Sequence, residues 1–405
     1  MKLRFAKNDV GSEGRGLRVN VSSAWIGRAW SAQERATETP DGGARGRCGL
    51  RCSPAPLPEG RPMPRLINAS KSRRGWSRIG NFILCEYLAG AIERGAILGS
   101  RDALNKGSLG HAGQAHLHTI EGVEHGPVLV NGELVEDASD FATPEQAIVM
   151  LANSELEYRP FKEEILEIHK GYMQKRMEGA GHAIMVEQEM IGVIGECDGE
   201  SGLHLVADDQ WDLLDPREDN PTPPKTLKAF SGRTINVVPL DVPGHPRHGW
   251  PIYISRRLDL VRRKGKYGEI IVEDHKFKAR IRGGSSKHAY RADGGFVAID
   301  VLCRQRFTWE YGGIWLNLIS TNPSSYGEQN RFKLPPARDK ELKFPYTLWY
   351  RENEFAKMQV KAMTGELPYE YWPDRSAENG ANCVSRYGKC FLYDHCYKNV
   401  PLRFK

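Results

Sequence analysis

Two apolar segments carry the residues with the clearest chemical content. Leu258-Asp259-Leu260 is followed by Ile270-Ile271-Val272-Glu273-Asp274-His275-Lys276. Both read as strands joined by a short polar turn, so Asp259 and Asp274 fall on neighbouring strands. A carboxylate embedded in buried strands is costly unless a cation satisfies it. Two carboxylates aimed at one point form an oxygen site suited to Mg²⁺ or Mn²⁺. Lys276 lies two residues after Asp274, on the same face of the strand. An ammonium there steadies an attacking water or the charge developing on a phosphate.

Other residues are candidates to join this chemistry. Lys106-Gly107-Ser108-Leu109-Gly110-His111 lies on an expected helix, and His111 is either a metal ligand or part of a polar helix surface beside His116 and His118. The backbone carbonyl of His275 is a further candidate ligand. The stretch after the second strand holds Lys278, Arg280, Arg282, Lys287, His288 and Arg291. It reads equally as a solvated loop or as a path for single-stranded or free-ended DNA. Cys383, Cys390 and Cys396 cluster near the end of the chain. Cys85 is the natural fourth thiol for a closed metal site, and three buried apolar cysteines are the alternative.

The elements that must position these groups can be read from pattern. A helix is expected from Ser77, with Ile79, Phe82, Ile83, Tyr87 and Ala91 on one face. A second helix covers Leu104 to His118. Thr143-Pro144-Glu145 opens a long helical stretch running in pieces to about Met177, with Thr143 as cap and Pro144 at the first helical position. Strands follow at His182–Ile194, Pro251–Val261 and Gly268–Phe277, with residues 207–251 expected as a long irregular connection. Phe296–Thr308 reads as a helix, Gly313–Ser320 as a strand and Phe344–Met363 as a helix.

Composition limits the rest. The chain has 405 residues, 40% hydrophobic and 27% charged, which excludes a disordered protein and a collagen-like fibre. Eight cysteines are too few for a secreted disulfide scaffold. No apolar run approaches the ~18 residues of a membrane span, and no signal peptide is evident, so a reducing, cytoplasmic setting without membrane is expected. Residues 1–62 hold eleven Lys and Arg against six Asp and Glu, and the remaining 343 residues hold 46 against 45. Residues 1–62 therefore read as a disordered or non-native basic extension, with Met63 as the expected start of the folded part. Cys48 and Cys52 in it lack partner ligands nearby.

The ordered set resembles the PD-(D/E)XK nuclease superfamily, in the branch of RecB-, AddB- and Cas4-like nucleases and their phage-encoded relatives. The order runs Cys85, Gly107 to His111, Asp259, Asp274 with Lys276, then Cys383, Cys390 and Cys396. The resemblance spans roughly residues 66–398. It implies an α/β fold with a restriction-endonuclease-like core, that is, a mixed central sheet flanked by helices, with a helical insertion and a cysteine-stapled C-terminus. The nuclease domain would be 63–405: a helical part at about 77–180, a catalytic core at about 181–330, and the C-terminal helix and cysteines at about 340–398.

The activity implied is Mg²⁺- or Mn²⁺-dependent hydrolysis of DNA, expected as an exonuclease in recombination, repair or replication, inside a bacterial host cell if phage-encoded. A partner helicase or recombinase is also implied. The catalytic set would be Asp259, Asp274 and Lys276, with His111, Asp259, Asp274 and the His275 carbonyl on the metal. The cysteines would hold a [4Fe–4S] cluster; Zn²⁺ fits the gaps of six and five residues less well. Glu187 stands where relatives often carry an acid on the preceding strand and is a candidate helper. Two departures stand out. Gly295 occupies the position at which the family's next helix usually carries Gln, leaving Gln305 as a candidate substitute. The Cys383–Cys390 gap exceeds the family's common Cys-x-x-Cys. A catalytically inactive iron–sulfur DNA-binding subunit of a nuclease/helicase complex is the alternative.

Overall fold

A computed structural model describes residues 63–67, 72–96, 102–175, 181–218, 221–264, 268–281, 290, 293–336, 338–373, 384–385, 388–389, 392–398 and 401–404. The chain divides into two units, Met1–Met63 and Pro64–Lys405. All described residues except Met63 belong to the second. Residues 1–62, Arg282, Lys287, Arg291, Cys383 and Cys390 lie outside the described residues.

The helix expected from Ser77 is two helices. α1 (Trp76–Leu84) is capped by Gly75 rather than Ser77, and α2 (Glu86–Glu93) follows. Cys85 between them is extended, at φ −162° and ψ 116°. The break lets α2 share the cluster of α1 through Ala89 while turning its other apolar residues to a second place. Ile79 and Phe82 pack with Phe355 and Trp372, whereas Leu88 and Ala91 pack with Leu392. α3 (Asp102–Val123) is longer than expected and buried along most of its length. α4 (Pro144–Ser154) begins as the sequence predicts. Gln146 N donates to Thr143 Oγ1 at 3.2 Å, and Thr143 N donates to Gln146 Oε1 at 2.9 Å. α5 (Lys162–Gln174) completes this group.

The strands of the main sheet are β1 (Val128–Val130), β2 (Glu133–Val135), β3 (His182–Cys197), β4 (Glu200–Leu205), β5 (Thr226–Lys228), β6 (Thr234–Val237), β7 (Tyr253–Arg263), β8 (Ile270–Lys278), β9 (Tyr311–Ser320) and β10 (Gln329–Lys333). Their order is β10-β9-β8-β7-β3-β1-β2, with β4 and β6 also pairing β3 and β5 pairing β6. Only β8 with β9 and β1 with β3 are parallel among the described pairs. The fold is therefore mixed α/β around a mainly antiparallel sheet. The 207–251 connection is less irregular than expected, because β5 and β6 extend the sheet beyond β3.

α6 (Gly294–Phe307) makes the crossover that two parallel strands require between β8 and β9. It packs on one face of the sheet with α7 (Arg338–Met363), burying Leu258, Val261, Val272 and Leu316 against Ala298, Leu302 and Leu348. α3, α4 and α5 cover the other face, where Leu109, Ile148, Ile165 and Ile168 meet Ile319 and Phe277. Among the described residues no helix is long and apolar enough to cross a membrane.

Candidate active site

The site begins where β7 and β8 part. Their antiparallel ladder runs from Arg263↔Ile270 to Leu260↔Glu273 and stops before Asp259 and Asp274 would pair. β8 stays with β9 as far as Lys278↔Ser320. The His275 N–H, released from β7, donates instead to Asp259 Oδ2 at 2.9 Å. N–H and C=O of one strand residue point to the same side, so the His275 carbonyl also faces this gap.

β3 breaks at the same level. Val186 pairs Leu260 and Gln188 pairs Leu258, but Glu187 and Asp259 between them do not pair. Glu187 has φ +51°. A non-glycine residue in that region costs about 1–3 kcal/mol and persists only where its surroundings over-determine it. Here Arg257 Nη1 donates to the Glu187 carbonyl at 3.0 Å and holds the turned peptide. Facing slips in β7 too: Leu258 and Val261 share one cluster while Leu260 lies in another. Strict alternation would put 258 and 260 together. The double slip turns both carboxylates into the gap.

His111 arrives from α3 on the opposite side. A Cβ on Gly110 would lie 2.2 Å from Phe277 Cζ, so only glycine allows α3 to approach β8 this closely. His111 Nδ1 then sits 3.4 Å from Asp259 Oδ2, with its ring edge-on to Phe277. One ligand atom from each of His111, Glu187 and Asp259 lies within 4.8 Å of the other two. Glu187 thus converges with His111 and Asp259. Asp274 is not in this trio; Lys276 Nζ lies 2.5 Å from its Oδ2.

Burial, and the charges of Asp259 and Asp274, push the Glu187 carboxyl up to about 8. Burial also raises Asp274, with Asp259 adding in the same direction and Lys276 opposing. Lys276 is held protonated by Asp274 and Asp259 despite its burial. These are like charges forced together in a low dielectric. A divalent cation between Glu187 and Asp259 removes both the repulsion and the desolvation cost, so the donor set fits a metal. Two carboxylates with one imidazole accept Mg²⁺ and suit Mn²⁺ better.

The remaining candidates fall elsewhere. Gln305 is bonded to β4. Its Oε1 accepts from Leu205 N at 2.7 Å and its Nε2 donates to Leu203 O at 2.8 Å, so both ends of the amide are spent on the backbone of β4. Gly295 lies at the start of α6, where Asp293 Oδ1 accepts its N–H at 2.7 Å. Lys278 ends β8 on the strand that carries Lys276, and Arg280 just beyond is exposed. Cys85 and Cys396 pack against the same small group of Leu88, Ala91 and Leu392. Tyr87 Oη and His395 Nε2, 2.9 Å apart, tie α8 (Tyr393–Lys398) to α2 beside them.

Sequence reasoning missed Arg256. It faces α6 three residues before Asp259, and the signal was the one used for Asp259, a charge inside an apolar strand. No family model matches the chain, and no curated protein matches it.

Proposed function

We propose that the chain is a metal-dependent deoxyribonuclease with a restriction-endonuclease-like core. The observation that carries this reading is the convergence of His111, Glu187 and Asp259 at the point where β7 and β8 part, with Asp274 and Lys276 on the adjoining strand. Structural ion pairs do not require β7 to leave β8 and to miss its partner on β3 at one level.

His111, Glu187 and Asp259 would hold the ion, with the His275 carbonyl facing the same gap. A bound Mg²⁺ or Mn²⁺ supplies a Lewis acid for a phosphate oxygen and a water of lowered pKa. Asp274 holds Lys276 extended and charged, and its ammonium offsets the negative charge that grows on a phosphate under attack. The His275 N–H orients Asp259. The DNA strand would leave along Lys278 and Arg280, on the side where β8 continues. The same reading gives Cys85 and Cys396 to a [4Fe–4S] cluster with Cys383 and Cys390, stapling the chain end onto α2.

The test is degradation of end-labelled linear single- and double-stranded DNA with Mg²⁺ or Mn²⁺. Cleavage is expected in the wild type and absent in an equally folded Asp274→Ala. DNA binding without cleavage under any metal would instead favour an inactive iron–sulfur DNA-binding subunit.

A further inference from the structure

Among the described residues, several buried or half-buried arginines are paired with acids, but Arg256 beside the carboxylates is not. Arg74 and Arg78 share Glu352, Arg262 and Arg331 share Glu273, and Arg247 takes Asp215. Arg256 is half-buried like most of these, yet among the described residues no carboxylate forms an ion pair with it. Three acids act on it from a distance: Asp293, Asp274 and Asp259. The nearest catalytic acid is not available, because Asp274 is engaged by Lys276.

The place it occupies is shaped for it. Arg256 lies on the α6 side of β7, with Ile254 and Leu258 of that strand packed in the cluster α6 covers. Its guanidinium lies over the bare backbone of Gly295. A Cβ on Gly295 would be 2.9 Å from Arg256 Cζ and 2.9 Å from Nη1. Any side chain there would have to displace the arginine, and a Gln would fill the space outright. The glycine at 295 and the arginine at 256 are therefore one feature.

We propose that Arg256 is a substrate-binding residue whose guanidinium takes two oxygens of a backbone phosphate of the strand held in the cleft, Gly295 being bare to admit it. A planar fork of donors fits a phosphate in two parallel hydrogen bonds, and a cation with no carboxylate partner has no ion pair to break before binding. Charge balance points the same way. The metal trio and Asp274 draw cations, so an anionic strand needs a fixed positive group on its own side of the gap. The inference rests on the nuclease reading.

The test is equilibrium binding of a fluorescent single-stranded oligonucleotide with Ca²⁺ replacing Mg²⁺, across a salt series. Arg256→Gln is expected to weaken binding about tenfold or more and to reduce the slope of log affinity against log salt by about 0.7. Arg256→Lys is expected to keep the slope and lose part of the affinity, because the charge stays and the fork goes. Gly295→Ala is expected to lose affinity with Arg256 intact. If Arg256→Gln does not fold, the other two decide: wild-type affinity in both overturns the inference. A folded Arg256→Gln with wild-type affinity and slope overturns it as well, and shows Arg256 to be a counter-charge for the acids. Wild-type protein that binds no DNA overturns the nuclease reading and this inference together; wild-type binding with indifferent variants overturns this inference alone.

Discussion

Glu273 and Asp274 are neighbours on β8, both buried, and they face opposite sides of the sheet. Their surroundings differ completely. Glu273 Oε2 accepts from Arg262 Nε at 2.9 Å and from Arg331 Nη2 at 2.8 Å, and these guanidinium groups hold its carboxyl below the usual range despite burial. Asp274 has one ammonium and looks toward Asp259, and its carboxyl is raised. One side of the strand spends cations to neutralise an acid, and the other gathers acids with too few cations. A satisfied buried charge holds architecture together. An unsatisfied group of like charges marks a candidate binding site.

That contrast can be broken by mutation. Asp259→Ala removes a ligand of the trio and the acceptor of the His275 N–H. Cleavage should fall on the order of a thousandfold or more while the melting curve stays close to wild type; comparable activity would remove Asp259 from the site. Glu273→Gln should do the reverse and cost about 3–5 kcal/mol of stability, because it leaves two guanidinium groups buried without their acid. Urea unfolding measures it, and a loss no larger than that of Asp274→Asn would erase the distinction. Gly110→Ala lies between the two regions. Its methyl group meets Phe277, so a loss of about 1–3 kcal/mol is expected, with metal affinity falling as α3 and His111 are pushed away.

Glu187 sharpens the comparison through pH. Its folded pKa of about 8 lies above the ordinary value of 4.5. The folded state therefore holds the extra proton, and stability is fully present below pH 4.5 and lost as pH rises toward 8. The buried imidazole of His275, pushed down to about 3, and that of His116, pushed down to about 4, act in the opposite sense below their ordinary value of 6.5. The metal-free wild type should thus lose stability relative to Glu187→Gln across the upper part of this range. Melting temperatures of the two proteins running parallel from pH 6.5 to 8 would show that Glu187 does not carry the raised pKa. The smallest effect belongs to Gln305→Ala, which should cost about 1–2 kcal/mol from two lost hydrogen bonds to β4 and leave cleavage unchanged.

Much of the scaffold was legible because its signals are local. The Thr143–Gln146 capping box, the apolar alternation of Pro251–Val261 and the returning strand through Phe277 each depend on neighbours in the chain. The helix from Ser77 was misread because its break at Cys85 answers to distant partners, Phe355 and Trp372 on one side and Leu392 on the other. The surroundings of Gln305 were illegible for the same reason: the β4 backbone that takes its amide is a hundred residues earlier in the chain.

The sequence by itself determined which residues carry charge inside apolar strands, and so that Asp259, Asp274 and Lys276 lie on paired strands with Lys276 on the face of Asp274. Side-chain alternation and hairpin pairing follow from local spacing, which a sequence states directly. Only the tertiary structure decided how the charges divide. It set Lys276 against Asp274, brought Glu187 and His111 to Asp259 from two other elements, and left Arg256 without an ion pair among the described residues, over Gly295. The reason is physical. The level at which β7 and β8 part, and the distance at which α3 packs, are set by contacts among residues far apart in the chain, and a buried charge takes its meaning from whatever those contacts bring within a few ångströms of it.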